Sequence, residues 1–277
     1  MPIDQPVPPH KAVILARGLG SRMRKEADGV SLGETQSAAA SAGVKAMISM
    51  GGERPFLDYV ISALADSGFT DICLVIGEEH DMIRDYYNQA DKQRVSISFA
   101  VQEEPLGTAN AVLSAEEFAG KDRVLVLNSD NYYPAEALRL LADVPGSALV
   151  GFERDAMLER SNIAPDRIAA FALATSDEHG NLDELVEKPD EETIERLGDS
   201  AVLSMNCWLC SPTIFPAARA IPMSARGEYE ITDAVRAAID SGDPYQVVRA
   251  DVGVLDMSSR GDIASVMAAL GDAEVRL

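Results

Sequence analysis

A chain of 277 residues with 47% hydrophobic and 25% charged residues can bury one large α/β core, or a core with a smaller lobe. Its formal net charge is −21, and the excess of 45 acidic over 24 basic residues repels DNA, RNA and anionic lipid over most of the surface, so neither nucleic acid nor membrane is expected as a partner. No apolar run approaches the ~20 residues that cross a bilayer, and residues 1–9 are proline-rich, so neither a membrane helix nor a signal peptide is expected and the cytoplasm is the expected location.

Along the chain, an apolar strand at 11–15 opens into a glycine-punctuated turn. The stretch 11–25 holds five basic residues and no acidic one: Lys11, Arg17, Arg22, Arg24 and Lys25. Gly18 and Gly20 let backbone N–H groups converge, and arginines add charge-assisted hydrogen bonds, which suits phosphate. An ordinary strand-to-helix turn with solvated arginines is the plain alternative. Residues 26–44 are small, polar and weakly periodic, and are expected to form a mobile loop with room for one short Ala-rich helix. Beyond it, helix-period segments at 55–67, 80–90, 107–117 and 134–142 alternate with β-branched runs at 71–76, 94–101, 123–128 and 147–152. From 153 to 200 the pattern shortens to strands near 167–174 and 182–187, read as a sub-lobe over the carboxyl edge of the sheet. A strand at 201–209 and helices at 211–219, 230–241 and 259–270 follow. The alternation is that of βαβ units, so the expected fold is α/β and Rossmann-like, with a mixed, mostly parallel sheet flanked by helices.

Two common phosphate loops are absent. A dinucleotide turn needs a third glycine where Met23 stands, and no G-x-x-x-x-G-K-[ST] occurs. Cys207 and Cys210 form a lone C-x-x-C on a strand, where an offset of three puts the side chains on opposite faces; with Cys73 they read as packed free thiols.

Six segments then stand in one order: Leu15-Ala-Arg-Gly-Leu-Gly-Ser-Arg-Met23, Lys45, Gln102-Glu-Glu-Pro-Leu-Gly-Thr-Ala109, Asn128-Ser-Asp130, Glu187-Lys-Pro189 and Asp256. In that order they resemble the sugar-1-phosphate nucleotidyltransferases from about residue 11 to 263. The resemblance implies the nucleotide-diphospho-sugar transferase fold with a small sugar-side sub-lobe. It also implies a reaction that joins a nucleoside triphosphate to a sugar 1-phosphate and releases pyrophosphate, with Mg2+ as cofactor. Two anions meet in such a reaction, so catalysis is positioning and charge neutralisation.

The resemblance assigns roles residue by residue. Leu15, Ala16, Gly18, Gly20 and Ser21 wrap the nucleotide, and Gln102, Gly107 and Thr108 lie where the base is read; an amide pairs with an imide edge, which hints at uracil or thymine, but one that flips its donor and acceptor ends fits several bases. Arg22 contacts the departing pyrophosphate, Lys45 the charge around the α-phosphate, and Asp130 and Asp256 hold magnesium, an ion that takes a few carboxylates plus phosphate oxygens. On the acceptor side, Glu187 accepts from sugar hydroxyls and Lys188 reaches a phosphate, with Gly151, Ser204 and Asn206 beside them. Residues 227–233 read as a helix entry with a substrate contact. Residues 10–152 are then mainly the nucleotide half of one domain, 153–257 mainly the sugar half, and 258–277 a C-terminal helix. Plainer roles stand beside these: a turn or cap at Asp130, a helix cap at Thr108, and a surface salt bridge at Glu187 and Lys188.

Departures from the family pattern are specific. Arg17 stands where a small residue is usual and reads either as an added phosphate or base contact or as solvated charge; Ser21 replaces Thr; 22 residues separate Arg22 from Lys45; and Val254 replaces an aromatic residue two positions before Asp256. No hexapeptide-repeat tail follows residue 263. Two other functions stay open on the sequence: nucleotidyl transfer to a non-sugar phosphate such as phosphocholine, and a non-catalytic NDP-sugar-binding regulatory protein. A homo-oligomer is compatible with the chain.

Overall fold

The computed structural model describes residues 8–18, 20–25, 32–52, 54–169 and 171–277. Its strands are β1 Lys11–Leu15, β2 Asp71–Ile76, β3 Ser96–Val101, β4 Val124–Asn128, β5 Asn131–Tyr132, β6 Ser147–Phe152, β7 Ala172–Ser176, β8 Leu182–Val186, β9 Val202–Cys210, β10 Tyr245–Ala250 and β11 Leu255–Asp256. Among the described residues one large sheet runs β10-β6-β9-β4-β1-β2-β3, with β7 joined to β9 and β8 to β7. The pairs β1–β2, β1–β4, β2–β3 and β10–β6 are parallel. Strand β9 is antiparallel to β4, β6 and β7, which makes the sheet mixed but mostly parallel.

Residues alternate between the two faces of a strand, so a sheet covered on both sides needs apolar residues at every position. β1 shows this: Ala12 and Ile14 pack with Phe56, Leu57 and Ile61 of the helix Phe56–Asp66, while Val13 packs with Val112 of Thr108–Ser114 and Val235 of Ile231–Asp240. All three β1 residues are fully buried. The two cysteines of the C-x-x-C divide the same way, Cys207 on one face and Cys210 on the other. Both are buried and free, and burial pushes the Cys210 thiol up to about 12 and the Cys207 thiol higher than its ordinary value too, so neither is a ready thiolate.

Several expected boundaries move. Pro165 starts a helical turn, Pro165–Ile168, so the apolar run near 167–174 becomes a strand only from Ala172. β10 has no counterpart in the expected elements: it is an edge strand whose Gln246 and Arg249 are exposed, which breaks the apolar run that marks a central strand. The short ladder of β5 with β11 is likewise invisible in the sequence pattern. Of the expected mobile loop, residues 26–31 lie outside the described residues, and the Ala-rich helix is Glu34–Ala42. No helix among the described residues is long and apolar enough to cross a membrane.

Candidate active site

The chain leaves β1 toward β2 on one side and meets β4 on the other, so β1 is a point where strand order reverses. Ligands of open α/β sheets bind outside the carboxyl ends of strands at such points. A cleft of about 400 Å³ opens there. It is lined by all eight residues expected to bind the nucleotide, Leu15, Ala16, Gly18, Gly20, Ser21, Gln102, Gly107 and Thr108, together with Arg22, Lys45 and Asp130. A second cavity of about 290 Å³ shares Arg22, Asn128 and Asp130 with the first and adds Asn131, Arg167, Phe171, Asp256 and Ser258.

The turn after β1 is held by close backbone approach. Gly20 has φ 58, and a Cβ placed on it would lie 2.1 Å from the Gly43 carbonyl oxygen, so only glycine fits. Gly43 ends the helix Glu34–Ala42, and the next turn, Lys45–Met47, presents Lys45. The long spacing between Arg22 and Lys45 is thus partly taken up by a helix whose end docks on the glycine turn. Gly18 meets no such constraint, since nothing lies within 4 Å of a Cβ there.

The turn's cations divide by task. Lys11 pairs with Asp122 at 2.7 Å, and an Arg24 Nη donates to the Ala42 carbonyl at 2.9 Å, capping the docked helix. Arg17 pairs with Glu79 at 3.3 Å and donates to the Gln102 carbonyl. Arg22 alone of these lines both cavities.

The two aspartates are brought together by the small ladder. Asn131 of β5 pairs with Asp256 of β11, and the Met257 N–H donates to the Asp130 carbonyl at 2.8 Å. Lys45 Nζ lies 2.8 Å from an Asp130 carboxylate oxygen. Asp256 is 5% exposed; one carboxylate oxygen accepts from Asn131 Nδ2 at 3.1 Å and Ser258 Oγ at 2.9 Å, and the other pairs with Arg167. Burial, and then the Asp130 charge, push the Asp256 carboxyl up, while Ser258 and Arg167 pull it back. Among the described residues no group of three or more His, Cys, Asp or Glu is arranged for a metal ion. A cation here would rest on two carboxylates completed by substrate oxygens and water, a donor set that suits magnesium and not a structural zinc. Asn131, Arg167 and Ser258 were not singled out in the sequence. Asn131 and Ser258 flank the two aspartates, which was the available signal; Arg167 had none.

Among the residues expected to read the base, Gln102 is 3% exposed, and its Nε2 donates to the Gly107 carbonyl at 3.1 Å and to Asn110 Oδ1 at 2.8 Å. A backbone carbonyl only accepts, so the amide orientation follows from the network and Oε1 is left as an acceptor at the cleft. Gly107 has φ 111, and a Cβ there would lie 2.5 Å from the Tyr229 carbonyl oxygen. Tyr229 N–H donates to the Leu106 carbonyl at 2.7 Å and its own carbonyl accepts from Ala109 at 2.9 Å, so segment 224–230 is stitched to the base-side loop. Thr108 Oγ1 accepts from the Ile231 N–H at 2.9 Å, so its hydroxyl caps the next helix while the residue lines the cleft.

The five sugar-side residues line neither cavity. Gly151 and Ser204 face each other across β6 and β9, both buried; a Cβ on Gly151 would lie 2.2 Å from Val202 Cγ2, and Ser204 Oγ has no hydrogen-bond partner among the described residues. Lys188 and Asn206 are the two non-glycine residues with positive φ among those described, 46 and 56. Asn206 sits where β9 bulges against β6 and accepts from Trp208 Nε1 at 3.3 Å. The Glu187 carboxyl is raised, by surrounding protein first and then by the Glu230 charge, although the residue keeps an exposed face. Glu230 in turn pairs with Arg226 of the stitched segment.

Residues 11–267 match the nucleotidyl transferase family. The chain belongs to that family. Within it, this nucleotidyltransferase is 28% identical over 247 residues to the UTP–glucose-1-phosphate uridylyltransferase AglF of Haloferax volcanii, covering 89% of this chain and 90% of the relative. It is 29% identical over 234 residues to a low-salt glycan biosynthesis nucleotidyltransferase of the same organism, covering 84% of this chain and 58% of that one. The structure of a UDP-glucose pyrophosphorylase complexed with UDP-glucose superposes with a TM-score of 0.72 at 16% identity, over 96% of this chain and all of the other, which shows the shared fold. The sugar-1-phosphate branch, inferred from the order of motifs, is the branch of the uridylyltransferase AglF.

Proposed function

We propose that this nucleotidyltransferase joins a nucleoside triphosphate to a sugar 1-phosphate, forming an NDP-sugar and pyrophosphate. The observation that carries the reading is the meeting of Arg22 and Lys45 with Asp130 and Asp256 around two adjoining cavities at the switch point of the sheet. A phosphate oxygen of the acceptor attacks the α-phosphorus in line, the bond from that phosphorus to the bridging oxygen breaks, and pyrophosphate leaves with the electron pair. Arg22 neutralises the leaving pyrophosphate, and Lys45, half-buried beside Asp130, serves the charge at the α-phosphate. Asp130 and Asp256 would hold Mg2+, which supplies positive charge to the phosphate oxygens. Arg167, paired with Asp256, orients that carboxylate.

Gln102 offers an acceptor to the base, which fits the imide N–H of uracil or thymine. The strained backbone at Lys188 and Asn206 supports a sugar-binding role for residues 153–257, with residues 10–152 as the nucleotide half. Incubation with each triphosphate, Mg2+ and a panel of sugar 1-phosphates, with phosphocholine included, tests the reading by pyrophosphate release. Release with a sugar 1-phosphate supports it. Release with phosphocholine alone, or tight NDP-sugar binding without turnover, overturns it.

A further inference from the structure

We propose that Arg17 is a positioning residue for base selection, clamping the main chain of Gln102 so that the side-chain amide reads an imide edge. The inference rests on the nucleotide reading of the larger cleft. Arg17 lies two residues beyond β1, Gln102 one residue beyond β3, and β2 runs between them. Two strand spacings are about 10 Å, which a long side chain must bridge. Arg17 does so: it donates to the Gln102 carbonyl through one Nη and pairs through Nε with Glu79, which follows β2. Three strand ends are thereby tied at one guanidinium, and that side chain is 11% exposed.

The charge of Arg17, which lines the wall of the same cleft, is thus engaged by the Glu79 carboxylate and the Gln102 carbonyl rather than left to solvent. Gln102 is held at three points, by the Ile76 carbonyl at its N–H, by Arg17 at its carbonyl, and by Gly107 and Asn110 at its amide. What is left free is Oε1, fixed in place at the cleft. An acceptor that cannot move accepts from the N3–H of uracil or thymine but faces the N3 lone pair of cytosine; a loose one shifts to take the cytosine amine. Selectivity then depends on Arg17 through its hold on Gln102.

Calorimetric titration of the full chain with UTP, dTTP, CTP and ATP in Mg2+, for wild type, Arg17→Met and Arg17→Lys, tests this. Wild type prefers UTP and dTTP over CTP by about tenfold or more, and Arg17→Met loses about tenfold in UTP affinity while its UTP-to-CTP ratio falls toward one, the size of effect expected for a lost charge-assisted hydrogen bond. Arg17→Lys recovers part of the ratio, because one ammonium reaches the carbonyl but does not reproduce the fork. Pyrophosphate release at saturating UTP changes by less than about twofold in either variant, since the clamp acts on binding. A folded Arg17→Met with the wild-type ratio overturns the proposal, as does a wild type that does not discriminate UTP from CTP. If Arg17→Met does not fold, Arg17→Lys decides: a ratio at or above that of wild type overturns it. A wild type that binds none of the four nucleotides overturns the nucleotide reading itself.

Discussion

The proposed nucleotide side and the proposed sugar side of this molecule rest on the same kind of motif but are built differently. On the nucleotide side every expected residue lines one cleft, because the motifs sit at the carboxyl ends of parallel strands that share a register: Leu15 pairs with Asn128, and Val101 with Ile76. On the sugar side the expected residues lie within a mixed part of the sheet, at a β-bulge and at the end of the β7–β8 hairpin, and line neither described cavity. A strand end in a parallel sheet points its next few residues to one place, whereas a bulge or a hairpin end depends on partners far away in sequence. Segment 224–230 links the two sides, with Tyr229 bonded to the base-side loop and Arg226 paired with Glu230, whose charge Glu187 feels.

The largest expected effect tests the acidic and basic core of the nucleotide side. Asp130→Asn should lower pyrophosphate release by about a thousandfold and Lys45→Met by about a hundredfold or more. The two residues are 2.8 Å apart, so the double variant should lose much less than the product of the single losses. Retention of a tenth of wild-type turnover by Asp130→Asn, with the fold intact by circular dichroism, would remove it from the site.

The next effect is one of stability and compares two glycines of the nucleotide side. Gly107→Ala puts a methyl 2.5 Å from the Tyr229 carbonyl oxygen at φ 111, whereas Gly18→Ala meets nothing within 4 Å. Urea unfolding should show Gly107→Ala losing about 1–3 kcal/mol and Gly18→Ala shifting by no more than about 0.5 kcal/mol. Equal losses would mean that the stitching of residues 106–109 to Tyr229 does not hold the loop.

These contrasts mark what the sequence made legible. Apolar periodicity located the central strands because both sheet faces are covered, and it placed the turn after β1, Gln102 and Asp130 at their carboxyl ends. It missed β10, whose polar residues face outward at the edge, and read a strand into 167–174, where Pro165 sets a helical turn first. The approach of Asp130 to Asp256 was legible only through the family resemblance, because the two-residue ladder that pairs Asn131 with Asp256 has no periodicity to read. Arg167 and Arg17 show the deeper limit: a charged residue's task is set by where its long side chain ends, and both ends lie on partners about 85 to 90 residues away.

A smaller effect separates strain from function on the sugar side. Asn206 holds φ 56 at the bulge of β9. Asn206→Gly removes the steric cost of that conformation, roughly 1–2 kcal/mol for most side chains and less for Asn, and adds about 0.5–1 kcal/mol of unfolded-chain entropy. Stability should stay within about 0.5 kcal/mol of wild type, while KM for the sugar 1-phosphate rises about tenfold and KM for the nucleotide is unchanged. A rise in the nucleotide KM instead would erase the distinction between the two sides.

The smallest effect probes the loop that carries Glu79, next to Arg17. His80 is 7% exposed, and its Nδ1 accepts from the Gly77 N–H at 3.1 Å, an interaction open only to the neutral ring. Burial lowers its pKa; Glu79 opposes the shift, and the charges of Arg17, Arg24 and Arg84 add to it. A group with a folded pKa below its unfolded one binds more protons when unfolded, so its contribution to stability is full above about 6.5 and is lost as pH falls from there through the folded value. Protonation of the many carboxylates relieves self-repulsion over a lower range and pushes stability the other way, so wild type alone gives a mixed signal. His80→Asn keeps an acceptor near Gly77 and removes the titration. The difference in melting temperature between wild type and variant should therefore shrink or reverse as pH falls from about 7 to about 5.5, with wild type losing ground. A difference that stays constant across that range would mean that His80 is not held neutral, and that the arginine-rich side of the β2 loop is more open than the bond to Gly77 indicates.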